Sequence, residues 1–169
     1  MTLLRNCIIA DNPVYLIEEY TDYHPYILLH TKHIFSVCPG IVVLKGYSDR
    51  TGSDRYKVIV QYDNEHYFGY GNLTNVSVEV GDRVDYRDII GSNTSSLKEI
   101  SFEYYTIDKS KYPVRIGINT FYKQDPTRFM TEGYGSIVSY SDNMKRLDNI
   151  PWALDPEFTP TMSRFMSAE

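Results

Sequence analysis

Tyr56-Lys57-Val58-Ile59-Val60-Gln61-Tyr62, then Asp63-Asn64-Glu65, then His66-Tyr67-Phe68-Gly69-Tyr70-Gly71 is the stretch that decides the fold. The first run alternates and is rich in β-branched and aromatic residues, the middle is turn chemistry, and the last run pairs back as the second arm of a hairpin. Upstream, Gly40-Ile41-Val42-Val43-Leu44 is a β-branched run ended by Gly46 and a polar loop from Ser48 to Asp54. Downstream, Val76-Ser77-Val78-Glu79-Val80 alternates strictly, and Gly81-Asp82 turns the chain, with Gly81 free to take positive φ. Ile89-Ile90-Gly91 reads as a strand whose glycine marks a bend or a close backbone approach, and Glu99 to Thr106 as an aromatic-rich strand. No stretch carries a 3.6-residue period, so the expected class is mainly β, an antiparallel β-domain.

The flanks are less regular. Residues 1–33 read as an irregular lead-in, in which Val14-Tyr15-Leu16-Ile17-Glu18-Glu19-Tyr20 fits a short strand or one helical turn equally, and Tyr26-Ile27-Leu28-Leu29 fits a strand. Ile34-Phe35-Ser36-Val37 fits another, opening a β-domain over 34–126 that closes with a hairpin around Tyr112-Pro113 and ends at Asp125-Pro126. Residues 127–169 mix Gly, Pro, Ser and Asp with isolated large apolar residues such as Phe129, Met130, Trp152, Phe158 and Phe165. That is too apolar for a free linker and reads as an arm that packs on its own domain or on a neighbour.

Composition narrows the class of function. The 169 residues are 42% hydrophobic and 23% charged, enough for a packed core. The net charge of −5 and pI near 5.4 argue against non-specific binding to nucleic acid or to an anionic membrane, since both need a basic face. No run approaches the roughly 20 apolar residues of a membrane helix, and Met1 to Asp11 makes a poor signal peptide, so a soluble protein made in the cytosol is expected. Cys7 and Cys38 have no metal-ligand spacing and read as buried thiols, with a disulfide between them as the second reading. Tyrosine is abundant, 16 residues against one Trp and 7 Phe, and suits half-buried strands and protein interfaces.

From Gly40 to Asp125 the order of motifs resembles the lysostaphin-type zinc endopeptidases that cut peptidoglycan cross-links. Pro39-Gly40-Ile41-Val42 stands where that family has "dGvV", and Val58-Ile59-Val60-Gln61-Tyr62-Asp63-Asn64 where it has "vvIdHgnG". Tyr70-Gly71-Asn72-Leu73 stands on "YaHL", Val80-Gly81-Asp82-Arg83-Val84 with Ile89-Ile90-Gly91 on "vGdkVkkGqviG", Ile100-Ser101-Phe102-Glu103 on the end of "HLHFEv", and Asp125-Pro126-Thr127-Arg128-Phe129 on "dPl.yL". The resemblance implies a zinc held by two His and one Asp, with further His beside an open position.

The residues for that chemistry are replaced. The "HxH" pair is Glu99-Ile100-Ser101, and the His of "YaHL" is Asn72, which cannot exchange a proton near neutral pH. In the upstream "HxxxD", His24 falls near the His position and Leu28 occupies that of the Asp. Arg87 replaces a turn glycine, and the span from Gly91 to Glu99 is shorter than the family's loop. The degenerate positions are therefore His24, Leu28, Asn72, Glu99 and Ser101, with no metal, no cofactor and no catalytic residue expected.

Other constellations weaken on inspection. His30 and His33, three apart in one expected strand, would point to opposite faces. Glu99 and Glu103 share a strand face as paired acids would, but Glu103 already fits the "FE" position. Lys98 lacks the flanking turn of a lipoyl or biotin carrier. The expectation is a non-catalytic structural protein of a virion, a bacteriophage tail or baseplate component made in the host cytoplasm. Its partners would be other tail subunits, engaged through anchors such as Trp152, Phe158 and Phe165. A peptidoglycan- or glycan-binding module is the alternative, and an active cell-wall endopeptidase the third reading.

Overall fold

The computed structural model describes residues 2–4, 7, 9–11, 13–47 and 55–130. Thirteen strands follow in chain order: β1 (Thr2–Leu4), β2 (Val14–Glu18), β3 (Ile27–His30), β4 (His33–Phe35), β5 (Gly40–Tyr47), β6 (Tyr56–Gln61), β7 (His66–Leu73), β8 (Asn75–Val76), β9 (Arg83–Val84), β10 (Ile89–Ser92), β11 (Glu99–Thr106), β12 (Pro113–Ile116) and β13 (Asn119–Gln124). A 3-10 turn over Pro126–Phe129 closes the described chain, capped by the Asp125 carboxylate, which accepts from the Thr127 amide.

The main sheet has ten strands and is antiparallel, in the order β1-β2-β3-β11-β7-β6-β5-β9, with β13 pairing β11 and β12 pairing β13. A smaller sheet runs β4-β10-β8. The β6–β7 hairpin forms as its residues dictate: the Asp63 carboxylate accepts from the Glu65 amide at 2.7 Å and meets His66 Nδ1 at 2.6 Å. That is an Asx-type turn between two β-branched and aromatic arms. β11 is the central strand, paired with β7 along Ser101–Thr106, with β3 over Glu99–Phe102 and with β13 over Tyr104–Thr106.

Alternation on β11 places Ile100, Phe102 and Tyr104 on one face, where they join Phe68, Tyr70, Val58, Val60, Ile27 and Leu29 in the main core. Tyr105 points the other way into a second cluster with Val43, Leu44, Ile59, Tyr67, Val114, Ile116 and Phe121. A register shift between Val42 and Leu44 lets the two neighbours Val43 and Leu44 both enter that second cluster.

Several elements differ from the sequence expectation. The undecided stretch Val14–Tyr20 is a strand over Val14–Glu18, and residues before position 34 supply three strands to the main sheet. His30 and His33 lie on two strands, β3 and β4, rather than on one. Of the strictly alternating Val76–Val80, only Val76 is in a strand; beyond it Ser77 still donates to the Ile90 carbonyl, but Glu79 and Asp82 fold the chain into the Gly81 turn. The last hairpin does not turn at Tyr112-Pro113. Pro113 opens β12, and the chain reverses at Gly117-Ile118, where Gly117 has φ +67° and Ile116 faces Asn119. A glycine first in a two-residue loop is the type II′ arrangement. Phe129 and Met130, read as the first apolar residues of the arm, are buried in the main core.

Two glycine expectations hold. Gly81 has φ +96°, and a Cβ on Gly91 would sit 2.5 Å from the Asn75 carbonyl oxygen. Arg87 takes φ +74° at the place where the related motif has glycine. A left-handed conformation costs a residue with a Cβ about 1 kcal/mol. Arg87→Gly is therefore expected to stabilise the fold by about 0.5–1 kcal/mol, less than the full relief because glycine also loosens the unfolded chain. A higher urea midpoint at unchanged slope checks this; an unchanged or lower midpoint refutes it.

Candidate functional site

Of the five positions that the sequence resemblance marks as degenerate, Leu28 and Ser101 lie in one row across three strands. Leu28 on β3 faces Ser101 on β11, which faces Gly71 on β7, so their side-chain positions share one face of the sheet. Gly71 carries no side chain for good reason: a Cβ there would lie 2.5 Å from Ser101 Oγ. Asn72, next along β7, has φ +60°, a conformation asparagine tolerates better than most. Its side-chain amide donates to the Glu99 carbonyl at 2.6 Å.

Asn93 completes a brace around that strand end. Its amide donates to the carbonyls of Asn72 at 2.7 Å and Glu99 at 3.1 Å, while its own oxygen accepts from the Ser95 amide and hydroxyl. Leu28, Asn72, Glu99 and Ser101 are thus brought together. His24 is held in the turn before β3, with Nδ1 at 2.8 Å from the Tyr26 carbonyl, Nε2 against the Glu18 carboxylate and its ring on Tyr26.

The other histidines are also engaged: His30 with the Leu97 carbonyl, His33 with Asp11 and His66 with Asp63. Among the described residues no three His, Cys, Asp or Glu side chains form a group able to hold a metal ion. A leucine, a serine hydroxyl and an asparagine amide spent on a backbone carbonyl do not fit zinc, which needs three protein donors drawn from imidazole, thiolate or carboxylate. Trp152, Phe158 and Phe165 lie outside the described residues.

Sequence reasoning missed the polar cluster two residues further along the same face of β11. Glu103 is 5% exposed, and its Oε1 and Oε2 each receive an ammonium at 2.7 Å, from Lys57 on β6 and Lys123 on β13 respectively. The Tyr105 hydroxyl donates to Oε1 at 2.6 Å, and that hydroxyl lies where a Cβ on Gly69 would be. Burial alone would push the Glu103 carboxyl up, but the two ammonium groups and their hydrogen bonds outweigh it and bring it down to about 2. No local signal marked the cluster: Lys57 and Lys123 both stand on strands, where an inward and an outward lysine read alike.

No protein-family model matches the chain, and no curated protein matches it in sequence. Solved structures do. The solution structure of lysostaphin superposes with a TM-score of 0.54 at 21% identity, over 69% of this chain and 49% of that one. The chain has the lysostaphin-type fold. A chain of the SpoIIQ–SpoIIIAH pore-forming complex matches with a TM-score of 0.53 at 20% identity, over 82% of this chain and 97% of that one. A putative peptidase M23 from Pseudomonas aeruginosa matches at 0.51 and 16% identity, over 76% of this chain and 53% of that one. This chain thus spans about half of the lysostaphin structure.

The lysostaphin-type frame allows a direct test of the replaced positions. Asn72→His with Ser101→His is expected to bind less than a tenth of an equivalent of zinc, roughly what the parent binds, because Leu28 still supplies no acid. Adding Leu28→Asp should raise zinc binding at least tenfold, read by metal analysis after desalting. Equal zinc in the double and triple variants would show that Leu28 does not stand at a ligand position.

Proposed function

We propose that this chain is a non-catalytic structural protein of a large assembly, with a bacteriophage tail or baseplate as the setting and protein contact as its work. The observation that supports the reading is the row Leu28–Ser101–Gly71 with Asn72 on a lysostaphin-type fold: at the positions this reading gives to the metal site, none of these side chains is an imidazole, a thiolate or a carboxylate. That strand end is braced by asparagine amides.

A chain of a pore-forming complex shares the fold, so the scaffold also serves assembly elsewhere. The acidic, tyrosine-rich composition fits subunit contacts rather than nucleic acid or anionic lipid. The tail or baseplate setting rests on analogy with wall-hydrolase scaffolds at tail tips. In this reading Trp152, Phe158 and Phe165 seat in pockets of neighbouring subunits.

The test is gradient sedimentation of particles from producing cells, followed by immunodetection of the full chain. Co-sedimentation is expected for the parent, with loss from the particle fraction for the Trp152→Ala, Phe158→Ala, Phe165→Ala triple variant. A parent chain that stays in the light fractions, or that releases fragments from purified peptidoglycan, overturns the proposal. Retention on purified cell wall without particle incorporation would favour a glycan-binding module.

A further inference from the structure

The Lys57–Glu103–Lys123 cluster is unbalanced. Two ammonium groups share one carboxylate, and the three side chains are only 11%, 7% and 6% exposed in the order Lys57, Glu103, Lys123. An uncompensated charge at such depth is costly, and the chain as a whole is acidic, so a local positive surplus is not a by-product of composition. Each ammonium has three N–H donors. Among the described residues each finds one oxygen, both oxygens belong to Glu103, and Oε1 is already shared with the Tyr105 hydroxyl.

The surroundings are polar. Ser101 precedes Glu103 by two residues on the same face, about 7 Å along the strand. The bare glycines of β7 let the Ser101 and Tyr105 hydroxyls lie against its backbone. Ser101 is only half-buried, and its hydroxyl makes no hydrogen bond among the described residues. Glu99, the other acid of this face, lies on the far side of Ser101 from the lysines.

We propose that this floor binds a carboxylate, supplied by a partner segment as its chain terminus or an acidic side chain and seated between Ser101 and the ammonium of Lys57. The added negative charge balances the cluster, Lys57 and the Ser101 hydroxyl donate to it, and Lys123 remains with Glu103. This deepens the assembly reading by naming the chemistry of the contact. It is tested on the isolated full chain, so its failure would leave the sedimentation result untouched.

Isotope-labelled chain is titrated at fixed ionic strength with acetyl-Gly-Gly, with acetyl-aspartate amide and with acetyl-Gly-Gly amide, following backbone resonances. Saturable shifts around Ser101 and Lys57 are expected with the carboxylates and not with the neutral amide; the tighter of the two carboxylates identifies the source. Lys57→Met leaves Lys123 and Glu103 as a neutral pair, so it should fold with an undiminished denaturation midpoint and bind roughly tenfold more weakly or worse. Ser101→Ala should weaken binding by a smaller factor. Equal responses to carboxylate, amide and added chloride, or unchanged affinity in a folded Lys57→Met, overturn the proposal.

Discussion

Glu103→Ala is expected to destabilise the fold by about 3–5 kcal/mol, because it strands two buried ammonium groups without their shared counter-ion. Urea unfolding should show the midpoint falling at an unchanged slope. A loss below about 1 kcal/mol would mean that the lysines find other partners or water, and that Glu103 is not the counter-ion its geometry describes. The control is to replace all three partners at once. Lys57→Met, Glu103→Leu and Lys123→Met together remove both charge and desolvation cost and should leave stability close to that of the parent.

The same carboxylate predicts acid sensitivity. Its folded pKa of about 2 lies below the ordinary 4.5, so the ionised form is favoured by folding. That stability is fully present above about pH 4.5 and drains away as pH falls toward 2, by about 3 kcal/mol in all. Glu103→Gln should unfold more easily near neutral pH and lose this part of the acid dependence. A variant whose stability falls with acid as steeply as the parent's would assign the effect to other carboxylates.

Phe129→Ala is the second large effect, about 3–5 kcal/mol. Phe129 is fully buried, with its ring edge-on to Phe68 at 5.0 Å and to Tyr104 at 4.9 Å, under the 3-10 turn that Asp125 caps. Deleting the ring leaves a cavity against two rigid aromatic faces with little freedom to collapse. Thermal and urea unfolding of the variant check the loss. A change within about 0.5 kcal/mol would show that the closing turn is peripheral. Truncations meant to spare the β-domain should accordingly end after Met130.

Much of the fold was legible because the code for an antiparallel sheet is local. Alternation set β6, pairing back across the turn set β7, aromatic content set β11, turn residues set the Asp63–Glu65 reversal, and glycines at 81 and 91 marked a positive φ and a close approach. The misplaced last hairpin shows where that code is ambiguous: Pro113 carries a turn signal but serves equally well as the first residue of an edge strand, and the glycine four residues later decides. Val76–Val80 shows a period of two that finds a partner strand only at its start, since pairing is a tertiary fact.

The site was legible in part. Leu28, Asn72, Glu99 and Ser101, singled out in the sequence far apart along the chain, are neighbours across β3, β7 and β11, whereas His24 is occupied with Glu18 and Tyr26 in the preceding turn. The lysine–glutamate cluster stayed hidden because its three members are far apart in sequence. Nothing local distinguishes an inward lysine that meets a carboxylate from one that merely lies along the surface.

The asparagine brace also ties three pieces of chain at one point. With Asn72 holding the Glu99 carbonyl and Asn93 holding both, the ends of β7 and β11 and the segment just after β10 share a single support. A change at either asparagine should therefore loosen all three together.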